Sequence, residues 1–141
     1  MKKYVVMFCL CLMLSGCGGK ELDCEKNSVY WDNVYVTDTY EVKFSGEQIK
    51  NVHFEKEFKV SGVLLSDMED IRRSYSAEFE RIKSSNTKVK SKIDEDEIDI
   101  EVDSKYSKLT SKEKESFSEI NSKANYEELK RDLEQKGYTC E

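Results

Sequence analysis

The chain has 141 residues, with 23 Lys and Arg against 29 Asp and Glu, a formal net charge of −6, five cysteines and no proline. That length suits one domain with a modest core. The acidic balance is repelled by nucleic acid and anionic lipid surfaces, so nucleic-acid binding is not expected.

Lys2 and Lys3 precede an uninterrupted apolar run from Tyr4 to Leu14, which is followed by Ser15, Gly16 and Cys17. A helix needs about 20 residues to span a bilayer, so this shorter run reads as the apolar centre of a cleavable signal. An ordinary secretory site wants a small residue three positions before the cut, where Leu14 stands ahead of Cys17. The pattern fits a lipobox instead: the Cys17 thiol forms a thioether with a diacylglyceryl group and becomes the first residue after cleavage. Two acyl chains, at about 0.8 kcal/mol per buried CH₂, anchor far more durably than one. The expected organisation is a lipoprotein signal over 1–16, a lipidated tether over 17–21 and one domain over 22–141. The expected location is the extracytoplasmic face of the cell membrane, the periplasmic side in a Gram-negative cell. Losing Lys2 and Lys3 leaves 21 basic against 29 acidic side chains, a net charge of −8.

Cys9 and Cys11 fall in the signal and Cys17 is taken by lipid, which leaves Cys24 and Cys140. Outside the cytoplasm such a pair is normally oxidised. Neither cysteine has a neighbouring histidine or a Cys-x-x-Cys spacing that would favour a metal or redox pair. A bridge between them closes nearly the whole domain, worth roughly 4 to 5 kcal/mol for a loop of about 100 residues.

Within the domain, Leu22 to Trp31 reads as a strand, Asp32-Asn33 as a hairpin turn, and Val34 to Phe44 as the second strand. Ser45 to Gln48 supplies turn chemistry before a third strand from Ile49 to Val60. Setting Val42 opposite Val52 also places Tyr40 opposite Phe54, Val36 opposite Phe58 and Val34 opposite Val60. One face is then apolar, apart from Asp38 opposite Lys56, and the register demands an odd loop or a bulge near Gly46. A slip of one residue would invert that face.

Ser66 and Glu69 have capping-box spacing, and Met68, Ile71, Tyr75, Phe79 and Ile82 recur at helical steps up to Ser84-Ser85-Asn86. A hairpin follows, with Lys88–Ile93 and Ile98–Asp103 around an acidic turn. Ile93 opposite Ile98 sets Lys92, Lys90 and Lys88 against Asp99, Glu101 and Asp103, pairs worth roughly 0.2 to 1 kcal/mol each. Thr110 or Ser111 caps a short segment carrying Phe117 and Ile120. Asn125 and Glu128 open a last helix with Tyr126, Leu129 and Leu133 as its buried stripe. Gly137 suits the position past that helix's end, returning Cys140 towards Cys24. The expected fold class is α+β: an antiparallel sheet built as a three-stranded meander, a helix and a hairpin, with C-terminal helices packed on one face.

This order of elements, the lipobox and the ending Tyr126-Glu127-Glu128-Leu129…Gly137-Tyr138-Thr139-Cys140 resemble the YehR-like family of small bacterial lipoproteins over the whole exported chain. The resemblance implies a lipid-anchored α+β domain of uncharacterised function and carries over no catalytic residues. The Cys24 and Cys140 pair departs from many members.

No nucleophile elbow, phosphate-cradling glycine loop or metal-ligand spacing occurs, so no enzymatic activity, cofactor or metal is expected. His53, the sole histidine, falls on the polar face beside Glu41 and reads as a solvated surface residue. The acidic turn Asp94–Glu97 lacks the mid-loop glycine of an EF-hand, and Lys105 would stand at loop position twelve. Tyr30, Trp31 and Tyr35 cluster at the first hairpin tip, either as a contact patch for a partner or membrane surface or as packing on the sheet. Asp38 and Lys56 need each other on an apolar face, or else line a ligand pocket. The expected role is a binding or interaction module attached to the membrane through Cys17, with an envelope protein as its partner. The alternative is a structural or envelope-stress lipoprotein without a small ligand.

Overall fold

The computed structural model describes residues 19–31 and 33–141, Trp31 in its backbone only; the proposed signal and Cys17 lie outside the described residues. Six strands, β1 (Glu21–Trp31), β2 (Val34–Ser45), β3 (Gln48–Val60), β4 (Thr87–Asp94), β5 (Glu97–Ser104) and β6 (Thr139–Cys140), form one sheet in the order β4-β5-β3-β2-β1-β6. All pairings are antiparallel. Among the described residues three α-helices accompany it, α1 (Leu65–Arg81), α2 (Ser111–Lys114) and α3 (Tyr126–Gln135), with a 3-10 turn at Tyr106–Lys108. The chain is therefore α+β with an antiparallel sheet.

The sheet keeps its apolar side chains on one face. In β2, Val34, Val36, Tyr40, Val42 and Phe44 are buried, and they meet Ile49, Val52, Phe54, Phe58 and Val60 of β3. Lys43 pairs with Asn51 but Phe44 with Ile49, so Lys50 is the extra residue of a bulge that keeps both ends of β3 facing the same way. Ile98, Ile100 and Val102 of β5 extend the apolar face, with β5 rather than β4 against β3.

Aromatic contacts show what covers this face. Phe79 of α1 lies 5.5 Å from Phe54, Tyr75 lies 4.9 Å from Phe58, and Tyr126 of α3 lies 5.7 Å from Phe44. Phe117, beyond α2, joins Phe79 at 5.3 Å. Thr110 and Asn125 cap α2 and α3 through complete capping boxes with Glu113 and Glu128. The expected cap at Ser66 is not used: α1 starts at Leu65 behind an extended Leu64 with no side-chain cap. Glu69 instead binds Arg72 at 2.8 Å, and Arg72 donates to Ser91 Oγ at 2.9 Å, so the pair joins α1 to β4.

Gly137 adopts φ 94° just past α3, a conformation glycine reaches without a Cβ penalty. The chain then turns back into β6, where Cys140 pairs with Cys24 in register and the two are joined by a disulfide across 116 residues. At the same end of the sheet Gly19 lies so close to Phe44 that a Cβ would stand 2.5 Å from the Phe44 carbonyl oxygen. Phe44 N–H donates to the Lys20 carbonyl at 2.8 Å. The segment after the proposed anchor is thus docked on β2.

The opposite face carries charge. Glu55 stands directly across from Glu101 and Glu57 from Asp99, like-charge pairings that cost stability. Burial, then Asp99, raises the Glu55 carboxyl; burial, then a hydrogen bond shared with Glu57, pushes Glu97 up to about 7. Of the three expected hairpin pairs only Lys92–Asp99 closes, at 3.3 Å; Lys88 and Lys90 form no ion pair within 4.0 Å among the described residues.

Reducing the disulfide, or replacing both cysteines by serine, lowers the unfolding free energy in urea by about 2 to 5 kcal/mol; an unchanged midpoint contradicts the bridge's role. Glu97 binds its proton more tightly folded than unfolded, so its contribution is present below its ordinary value of 4.5 and is lost as pH rises through about 7. The loss of stability across that window is therefore smaller in Glu97→Gln than in the native chain, and identical pH profiles contradict it.

Candidate functional site

Three regions contain the residues singled out by the sequence, and they do not coincide. The first is a cleft of about 300 Å³ on the helix side of the sheet, between α1 and the segment around Glu119. Asp38 is only 6% exposed and meets Lys56 Nζ at 2.7 Å. That ammonium also lies over the rings of Tyr75, at 5.3 Å, and Phe58, at 5.6 Å. The charge breaking the apolar stripe is thus paired and wrapped in aromatic surface, as a buried charge requires.

The other cleft carboxylates also have partners. Glu78 binds Arg81 and accepts from Ser116 Oγ at 3.2 Å. Glu119 accepts from the Tyr138 hydroxyl and lies 3.9 Å from Lys26, whose ammonium sits 4.6 Å from the Tyr138 ring centre. Burial first, then Glu119, raises the Tyr138 hydroxyl well above the ordinary tyrosine range, and burial raises Tyr40 likewise. These phenols stay protonated donors at any physiological pH. The groups converge on one another, tying α1 and the Ser116–Glu119 segment to the sheet.

The second region is the first hairpin tip, where the sequence groups Tyr30, Trp31 and Tyr35. The structure separates two of them. Tyr30 lies on the helix face, 6.0 Å from Tyr75 and 6.3 Å from Phe58. A hydrogen bond to it, after burial, helps push Tyr75 up to about 12. Tyr35 is 56% exposed on the open face, paired with Val29 and Lys59. The Trp31 side chain lies outside the described residues. Leu64 and Leu65, both about two-thirds exposed at 69% and 66%, start α1 at this end of the sheet. Ser61 N–H donates to the Asn33 carbonyl at 3.2 Å, and Val60 N–H to that of Asp96 at 2.8 Å. The loop ends are thereby held together there.

The third region surrounds His53, which the sequence reads as a solvated surface residue beside Glu41, on the open face. His53 stands between Glu41 of β2 and Asp103 of β5 in the ladder. Its Nδ1 is 2.7 Å from Asp103 Oδ1, and one donor atom each of His53, Glu101 and Asp103 fall within 4.8 Å of one another. His53 and Asp103 border a depression of about 400 Å³ together with Glu41, Asn51 and Lys88. Alternation alone puts His53 and Glu41 on one face. Glu101 and Asp103, about fifty positions away, enter only because β5 docks on β3.

No protein-family model matches the chain, and no curated protein matches it. A solved structure does: the NMR structure of a protein from Streptococcus pneumoniae TIGR4 is similar with a TM-score of 0.56 at 13% identity, covering 100% of this chain and 97% of that one. At that identity the likeness is one of fold alone.

Proposed function

We propose that the chain is a lipid-anchored extracytoplasmic lipoprotein whose domain works as a binding or interaction module. In this reading Cys17 carries the diacylglyceryl anchor, and Gly18 to Lys20 connect it to a meander, helix and hairpin with the C-terminal helices on one face. The observation that carries the proposal is the placement of the tether. The chain after Cys17 docks on Phe44 at one end of the sheet, and the disulfide clamps β1 three residues into the strand, at Cys24. A pull on the anchor is thereby transmitted to the sheet and to the C-terminus together.

This geometry also favours a protein partner over a membrane surface for the apolar tip. At about 3.3 Å per residue, the 11 residues of β1 span roughly 33 Å. Tyr35, Leu64 and Leu65 then stand that far from the anchored end. The open face lies beside the line from anchor to tip, with none of the described helices on it, and is the surface a partner in the envelope can reach.

Two measurements test the reading. In cells fed labelled palmitate, the native chain incorporates label and sediments with membranes, whereas Cys17→Ala does neither; equal labelling of the variant contradicts the anchor. A photo-cross-linker at Lys59, exposed on the open face, captures a discrete partner, and one at Arg73, exposed on α1, does not. Equal capture from both positions contradicts the assignment of that face.

A further inference from the structure

We propose that His53, Glu101 and Asp103, with Glu41 beside them, form a binding site for a borderline divalent transition-metal ion of the zinc class on the open face of the sheet. The site does not depend on the anchor. It goes beyond the proposed function by naming a ligand for one part of the face.

Four observations on independent features converge on it. The chain's only imidazole sits on central strand β3, with carboxylates directly opposite on both neighbouring strands, Glu41 and Asp103. The donor atoms of His53, Glu101 and Asp103 lie within 4.8 Å of one another, the spacing one ion can gather by small side-chain rotations. The lysines placed to neutralise the two acids do not reach them: Lys88 faces Asp103 and Lys90 faces Glu101 in the ladder, yet neither forms an ion pair within 4.0 Å among the described residues. Among the described residues the one ion-pair contact of Asp103 is with the His53 ring, and Glu101 instead faces the carboxylate of Glu55. Finally, His53, Asp103 and Glu41 border a concave surface with room for the water that completes coordination.

The donor set chooses the metal. One imidazole nitrogen with two or three carboxylate oxygens suits zinc and its neighbours, whereas calcium and magnesium prefer oxygen alone. The contact between Nδ1 and Asp103 is compatible with either of two roles. Asp103 binds the ion beside Nδ1, or it accepts the Nδ1 proton and leaves Nε2 as the ligand, the carboxylate–histidine arrangement that fixes ring orientation around many metals. In both, binding requires neutral imidazole and weakens on acidification. Lys88, at the rim of the depression, opposes a cation.

The test uses the full-length protein in detergent, titrated with zinc chloride at pH 7.5 and followed by calorimetry and by the NMR signals of the single imidazole. One zinc binds per chain and shifts the His53 ring signals. Binding is weaker by about tenfold or more in His53→Gln and Asp103→Asn, is tighter in Lys88→Gln, and is not displaced by a tenfold excess of calcium. The ring signals need no variant, so a misfolded substitution does not obscure the outcome. Zinc that binds without moving the His53 ring, that binds His53→Gln as tightly as the native chain, or that yields to calcium overturns the assignment.

Discussion

One-sided burial across β5, β3 and β2 is the constraint on which the rest of the structure depends. Side chains alternate along a strand, so a single register sends Val52, Phe54 and Phe58 into the helices and His53, Glu55 and Glu57 to water. The bulge at Lys50 preserves that division to the start of β3. Asp38 and Lys56 are the exception on the apolar face, and their 2.7 Å contact with flanking rings makes the exception tolerable. Removing one partner would leave the other charge buried, the costly outcome for such pairs.

The remaining clasps act on the ends of this slab. The disulfide joins β1 to the two-residue strand β6, which has too few ladder bonds to hold the C-terminus alone. Lys26 and Lys136 reach Glu119 from two sides, the former by its ammonium and the latter at the backbone carbonyl. Arg72 links Glu69 to Ser91. All of these contacts belong to the helix-covered half or to its edge. The open face is held by cross-strand pairs such as Lys92–Asp99 and His53–Asp103, yet its like-charge pairs run against stability; natural sequences concentrate such local conflicts at functional positions.

Much of the fold was legible because its signals are local. Alternation and turn residues set the β2–β3 and β4–β5 registers, and counting across Gly46 revealed the need for a bulge. Asn125 with Glu128, and Thr110 as one of two candidate caps, announced two helix starts, and with Cys9, Cys11 and Cys17 set aside the two remaining cysteines identified their own partner. Ser66 and Glu69 misled because α1 already starts at Leu65 and Glu69 pairs within the helix with Arg72, whose reach to Ser91 on β4 is a tertiary contact that spacing does not encode. The strand order was hidden for the same reason. Nothing within 87–104 says that β5 rather than β4 lies beside β3, and only that choice brings Glu101 and Asp103 to His53 and sets Glu55 against Glu101. The grouping of Tyr30 with Tyr35 failed because neighbours at a hairpin tip face opposite sides of the sheet.

The division of the sheet into a load-carrying face and an open face is tested most directly by two adjacent positions on β3. Phe54 is 5% exposed and packs against Tyr40 and Phe79, whereas Glu55 faces Glu101 across the ladder. Equilibrium unfolding in urea of Phe54→Ala and Glu55→Gln, side by side, should give a loss of about 3 to 5 kcal/mol for the first and no loss, or a gain, for the second. A Glu55→Gln variant as destabilised as Phe54→Ala would contradict the account.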